Sequence, residues 1–388
     1  MRRTSLLEKA YLYWRTKQLI GRQMIGVSSS AYNNPPLCVP YPAAITAFIK
    51  KHGENASEAI WKEEDQHEVV RLYRLVNDFR DLNNKTKLER WPLPYILHLI
   101  DKMRGSGRYS TEDIEDAFFT VPMKKEHRQF TAFSTPHGHF EYLCMGQGLK
   151  NAANFFARIV HEMFSSLQIK GKSMSVYQDD VCNFDDDLLQ HLDLQQEIYD
   201  IMEDNTLVFK SIKGHLNYTT QRILGHIMSK EGRAPDPTLV STINNLAKPT
   251  TLEGVRSCLG LAQVAREYIH DLADIIAPIQ QFARKVVDID KDWGPEQDAA
   301  FSKLKTVITT APVLALPNLM KKFRVHVDAC RVGRGIGAIL LQLDETIAAN
   351  DNKEVWQPTA YWSRALSKEE RRYSATELEC TGLHWESW

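Results

Sequence analysis

The clearest hydrophobic rhythm lies near the middle of the chain. In "KNAANFFARIVHEMFSSLQ", Phe155, Phe156, Ile159, Val160, Met163 and Leu167 recur at helical intervals and predict an amphipathic helix. The period then drops to two. "SMSVY" and "VCNF" alternate on either side of Asp179 and Asp180, predicting a hairpin with that pair at its tip. "LLQHLDLQQEIYDIM" reverts to helix, and "RILGHIMSKEG" reads as a second hairpin. Upstream, "VVRLYRLVNDFRDLN" predicts a strand entering a turn. "YSTEDIEDAFFTVPM" has a β-favouring second half, with Phe118, Phe119 and Val121 before Pro122. The order β-α-β-β-α-β predicts an α+β unit, a ferredoxin-like sheet backed by helices.

The flanks read differently. The start, "MRRTSLLEKAYLYWRTKQLIGRQMIG", is basic and mildly amphipathic. A solvated surface helix is expected there rather than a mitochondrial presequence, because no clear processing pattern follows. "NNPPLCVPYPAA" predicts an extended segment, and "FIKKHGENASEAIWKEEDQHEVV" a helix or insert rather than sheet. Beyond "APDPT" the chain turns almost wholly helical, with Thr250 or Thr251 able to cap a helix entered at Leu252. "WGPEQDAAFSKLKTVITTAPVLALP" predicts one more helix and a strand. From "FRVHVDAC" a third module begins: a strand carrying Asp328, a Gly-rich turn, then "GAILLQ". The chain stops inside a predicted helix, "YSATELECTGLHWESW", so this module is expected to be incomplete.

Composition adds limits rather than a function. With 388 residues, 43% hydrophobic and 25% charged, the chain reads as an ordinary soluble protein of two to four domains. No apolar run is long enough to cross a bilayer, so no membrane partner is expected. A net charge of -1 gives no global attraction for nucleic acid, and any such binding must come from local patches. Cys38, Cys144, Cys182, Cys258, Cys330 and Cys380 stand singly, with no zinc spacing. They read as small buried apolar residues in a reducing, intracellular compartment.

The paired aspartates demand a reason, because adjacent carboxylates repel. A soluble turn tip is one, since Asp bonds its own backbone readily. Nucleotide joining supplies another. It needs two divalent cations about 3.5–4 Å apart, one activating the attacking hydroxyl and one steadying the leaving oxygen. Hard cations such as magnesium take carboxylate oxygens. Aspartates must then converge from separate strands, and Asp113 in "EDIEDAFF", at the start of the β-favouring run, is the candidate third ligand.

In this order, "STEDIEDAFFTVPM", "HRQFTAFSTPHGHFEYLCMGQGLKNAANFF" and "VYQDDV" resemble the palm and fingers of reverse transcriptases from gypsy-type long-terminal-repeat retrotransposons and retroviruses. "ILGHIMSKEGRAPDP", "LEGVRSCLGLAQVAREYI" and "APVLALP" are similar to the gypsy-type thumb and connection, so the resemblance runs from about Arg71 to the end. It implies a right-hand polymerase with a ferredoxin-like palm, fingers and helical thumb, then a connection and an incomplete ribonuclease H-like α/β module. The implied domains are 1–70 (amino-terminal segment and fingers with insert), 71–230 (fingers and palm), 231–290 (thumb), 291–320 (connection) and 321–388 (truncated ribonuclease H-like). Asp113, Asp179 and Asp180 fall at the catalytic, metal-binding places, which implies two Mg²⁺ ions, with Mn²⁺ an alternative. Phe118 matches the aromatic residue under the incoming sugar that leaves no room for a 2′-hydroxyl. Arg74 matches the arginine on the triphosphate, Gln147 the residue beside the nucleotide, and Lys213 approximates the lysine that protonates pyrophosphate. Arg80 matches a mainly structural arginine. Tyr177 falls near the primer end, and "LGH", Leu224 to His226, resembles the hairpin that grips the primer. Asp185 to Asp187 read as a solvated loop.

The third module resembles ribonuclease H. Asp328 and Glu379, with Glu377 as near alternative, match two of its four carboxylates, and the other two would lie beyond Trp388. The Gly333-Gly335-Gly337 pattern is a turn feature and not a dinucleotide fingerprint. Three departures stand out: Gln147 where gypsy-type enzymes often carry Phe, Ala153 for the usual Pro, and Lys50–Glu68 in place of a short basic hairpin. The implied partners are an RNA or DNA template with its primer, and deoxynucleotides. The implied location is the cytoplasm or an element-encoded particle, and the sequence leaves the oligomeric state open. A decayed copy that folds or binds nucleic acid without polymerising is the alternative reading.

Overall fold

A computed structural model describes residues 4–211, 214–284, 289–330, 335–343, 354–367 and 369–386. It divides into two compact units. One comprises Met1–Pro94, Glu112–Val181 and Gln196–Gly214, and the other Tyr95–Thr111, Cys182–Gln195 and His215–Trp388. Among the described residues, no helix is long and apolar enough to cross a membrane.

The helix Leu6–Gly21 opens the first unit with a capping box: Glu8 N–H donates to Ser5 Oγ at 3.2 Å and Ser5 N–H to Glu8 Oε2 at 2.7 Å. It is not the solvated helix expected. Tyr11, Leu12, Trp14 and Leu19 are buried, and Trp14 Nε1 donates to the Ile60 carbonyl at 2.8 Å. Its cover comes from the segment read as helix or insert, which forms helices Pro42–His52, Ala56–Ala59 and Gln66–Val69 and adds Phe48, Ala59, Ile60 and Val69 to the same core. The extended segment is strand Pro36–Pro40, antiparallel to Tyr73–Asn77 with Cys38 opposite Leu75.

The central sheet has the strand order Met174–Tyr177, Asp180–Asp185, Arg108–Asp113, His215–Tyr218. Helices Ala152–Met163 and Leu188–Asp204 connect these strands in a β-α-β-β-α-β order, but the last strand is His215–Tyr218 and not the "RILGHIMSKEG" hairpin expected there, which belongs to a separate sheet. The helical stripe is narrower than its spacing suggested: Phe156, Val160 and Leu167 are buried, and Phe155, Ile159 and Met163 half-buried. Strand Asp180–Asp185 does not alternate. Val181, Cys182, Asn183 and Phe184 are all buried, as befits a strand covered on both faces. "AFFT" is also not a strand. Ala117–Thr120 is a 3₁₀ turn, because Asp116 takes a left-handed conformation (φ 48°) and its carbonyl accepts the Phe119 N–H at 2.7 Å. The strand precedes it, and Asp113 ends the strand instead of starting one.

In the second unit, the second hairpin (Gln221–Ile223 with His226–Ser229) gains a third strand, Gly232–Pro235. Thr251 caps helix Leu252–Val264, accepting the Gly254 N–H at 3.1 Å. With Pro237–Asn244, Leu272–Arg284 and Pro295–Thr309 this helix buries Ile243, Val255, Ile279, Phe301 and Leu304. "APVLALP" forms no strand, only an isolated bridge between Leu314 and Arg233. The last module pairs Phe323–Cys330, Gly335–Leu343 and Trp356–Ala365 antiparallel, and helix Ala375–Glu386 packs Leu378 against Ile336 and Leu366. Cys144, Cys182 and Cys258 are buried as expected, whereas Cys380 is exposed.

Candidate active site

Backbone ladders bring Asp113 to the hairpin tip. Ile114 N–H donates to the Asp179 carbonyl at 3.0 Å, and Lys210 N–H to the Asp113 carbonyl at 2.9 Å. On the same strand, Glu112 is buried and accepts the Tyr199 hydroxyl at 3.1 Å. Successive strand side chains point to opposite faces, so Asp113 is directed away from that helix. Gln178, in the two-residue turn, has a φ of 57°, the positive value such hairpins require at their first turn residue. Asp179 is half-buried and Asp180 exposed. Hard oxygen donors at neighbouring strand ends suit divalent cations. Among the described residues, however, no three His, Cys, Asp or Glu side chains already form a metal cage. The fit therefore rests on chemistry and strand position, not on a preformed cluster.

The nucleotide candidates divide. Arg74 Nη2 donates to Gln147 Oε1 at 3.0 Å, so these two, 73 residues apart in sequence, meet at an exposed place. Phe118, half-buried on the 3₁₀ turn, stands edge-to-face on Phe156 with centroids 5.9 Å apart. Lys213 lies outside the described residues; Lys210 is the lysine whose backbone adjoins Asp113. Arg22, missed in the sequence, pairs with Asp116 at 2.8 Å beside that turn. No local signal marks it, since 94 residues separate the two.

A cavity of about 1150 Å³ in the same unit was also not foreseen; Arg80, Asn83, Lys85, Lys124 and Lys150 are on its lining. Arg80 holds Asp78 by two side-chain bonds and pushes its carboxyl down to about 2. The turn into helix Ala152–Met163, where Ala153 replaces Pro, is tied by Asn151: its Nδ2 donates to the Lys87 carbonyl at 2.8 Å and its Oδ1 accepts the Glu89 N–H at 3.1 Å.

In the last module, Asp328 is exposed and opposite Gly337. Gly335 and Gly337 leave room for acids of helix Leu272–Arg284 and the residue before it. A Cβ at either glycine would stand 2.1 Å from an oxygen of Asp274 or Asp271, respectively. Burial, then the charges of Asp271 and Asp328, push the Asp274 carboxyl up to about 6. Glu379 is exposed on helix Ala375–Glu386. Glu377 is used structurally, accepting the Ser374 N–H at 2.7 Å at the start of that helix.

Residues 49–228 match the family described as reverse transcriptase (RNA-dependent DNA polymerase), and residues 293–387 the RNase H-like domain found in reverse transcriptase. These two stretches carry the reverse transcriptase and RNase H-like domains, and the chain as a whole is similar to retrotransposon Pol polyproteins. It is 30% identical over 371 residues to the Pol polyprotein of transposon 297 of Drosophila melanogaster, covering 96% of this chain and 31% of that one. To that of transposon gypsy it is 28% identical, covering 95% and 33%. The chain spans about a third of the length of these relatives. A foamy viral protease-reverse transcriptase solved with double-stranded DNA aligns at a TM-score of 0.81 and 19% identity, covering 100% of this chain and 73% of that one. At that identity the likeness speaks for the fold, the mixed α+β polymerase architecture with its RNase H-like module.

Proposed function

We propose that this chain is an RNA-directed DNA polymerase of a gypsy-type retrotransposon, extending a primer 3′-hydroxyl with deoxynucleotides on an RNA or DNA template. The observation that carries the reading is the ladder contact between Ile114 and Asp179, which sets the Asp113 strand end beside the Asp179-Asp180 tip. Asp113, Asp179 and Asp180 would hold two Mg²⁺ ions, or Mn²⁺, which when bound supply charge neutralisation and an activated hydroxyl. Arg74 grips the triphosphate as a planar donor fork, held ready by Gln147. The Phe118 ring, braced on Phe156, closes the space a 2′-hydroxyl needs and so selects deoxynucleotides. Lys213 donates a proton to departing pyrophosphate. Catalysis by positioning and charge explains why no covalent nucleophile is required. The cytoplasm or an element-encoded particle is the setting this implies.

The test of polymerisation is extension of an oligo(dT)-primed RNA template with deoxynucleotides and Mg²⁺ or Mn²⁺, beside an Asp179→Asn control. Extension above that control supports the reading. Equal signals would favour a copy that folds without polymerising.

A further inference from the structure

Arg233 in the second unit is 3% exposed, unusual for a charged side chain. It lies in strand Gly232–Pro235, with Met228 of the His226–Ser229 strand directly opposite. Its side chain reaches two further segments. Nη1 donates to Glu267 Oε2 at 2.8 Å, in the turn after helix Leu252–Val264, and Nη2 to the Thr359 carbonyl at 3.3 Å, in the last sheet. The guanidinium also lies 5.8 Å from the Tyr268 ring centre. Its backbone N–H and carbonyl both bond Leu314, at 2.9 and 2.8 Å. Gly232 permits this approach: its φ is +142°, and a Cβ there would stand 2.1 Å from the Leu314 oxygen.

A second link runs in parallel. His226 Nδ1 is bonded to the Tyr268 hydroxyl. Burial, then the Arg233 charge, holds the imidazole down to about 4, while burial keeps the Tyr268 phenol protonated. The two neutral groups thus share one hydrogen bond between the hairpin and the turn.

An ion pair with one charge buried and the other half-buried is a poor source of stability, because lost hydration offsets the attraction. Here one donor, Arg233 Nε, has no hydrogen-bond partner among the described residues. Such a pair defines an arrangement better than it strengthens a fold. We infer that Arg233 and Glu267 are positioning residues for the polymerase, fixing the Gln221–Ser229 hairpin against the Arg266–Tyr268 turn and so setting the seat of the primer strand. This rests on the polymerase reading above.

The experiment compares the full chain with Arg233→Met, Glu267→Gln and the exchanged double Arg233→Glu/Glu267→Arg. Two quantities are read: product length per primer–template encounter with a trap present, and amide hydrogen exchange across 221–235. Each single variant is expected to release primer–template about tenfold faster, with shorter products and an unchanged KM for deoxynucleotides. Hairpin exchange should quicken in step, and the exchanged double should recover part of both. A merely structural pair would lower the melting temperature and leave release from folded molecules as in the parent. That result, or unchanged hairpin exchange, overturns the inference. If Arg233→Met does not fold, the near-isosteric Glu267→Gln decides. Should the parent itself extend no primer, the polymerase reading falls and takes the positioning role with it, whereas parental products from both single variants overturn the positioning role alone.

Discussion

Carboxylates gather at two places in this protein, and the two are built on different plans. At the hairpin tip, acids from separate strands are placed by backbone bonds, and their side chains reach solvent at the ladder's end. Around Asp328, acids from another segment approach, and burial first, then the charges of Asp271 and Asp328, drives the Asp274 carboxyl up to about 6. If the tip holds cations as proposed, the difference lies in charges held near one another by the scaffold while water still screens them. A carboxyl that is buried and also set among other acids takes up a proton more readily instead.

The largest effect should separate the two places. Asp113→Asn is expected to lower primer extension by about 10³-fold, through loss of one cation ligand, while Asp328→Asn leaves extension unchanged. Steady-state extension assays on both variants check it. Next comes the scaffold. Trp14→Ala should cost about 3–5 kcal/mol of stability by opening a cavity, with the rate per folded molecule retained. Denaturant melts read alongside extension rates distinguish the two.

A smaller effect depends on pH. Two side-chain bonds from Arg364, at 2.8 Å each, hold the Glu370 carboxyl down to about 2 from its usual 4.5. The folded value lies below the unfolded one, so the pair stabilises fully above about pH 4.5 and that contribution disappears as pH falls toward 2. Melting temperatures of the parent and Glu370→Gln should converge over that window. The smallest effect is Glu377→Ala, costing about 1 kcal/mol as a lost helix cap, with Glu379→Ala near zero. Thermal melts of the two variants would expose an error if Glu379 proved the costlier.

Much of this was readable in the residues because it is local. The Asp179 hairpin declares itself by alternation around a turn, and Thr251 by standing just before a helical pattern. What escaped depends on distant partners. Trp14 looked solvated because its cover, Ile60 and Val69, lies in a segment whose placement no periodicity could give. Phe118 and Phe119 have strand propensity, yet the left-handed Asp116 forces a turn. That conformation is held beside Arg22, far away in sequence. Arg233 carries no mark of burial, since its partners Glu267 and Thr359 are 34 and 126 residues on. In the proposed site, the three aspartates were picked out by their motifs, whereas the Arg74–Gln147 contact required the fold.

The most direct measurement of the central claim is anomalous scattering from crystals of the chain grown with Mn²⁺, primer–template and a deoxynucleotide. Manganese bound jointly by the carboxylates of Asp113 and Asp179 is the predicted result. Full nucleotide occupancy with no manganese on either aspartate would contradict it.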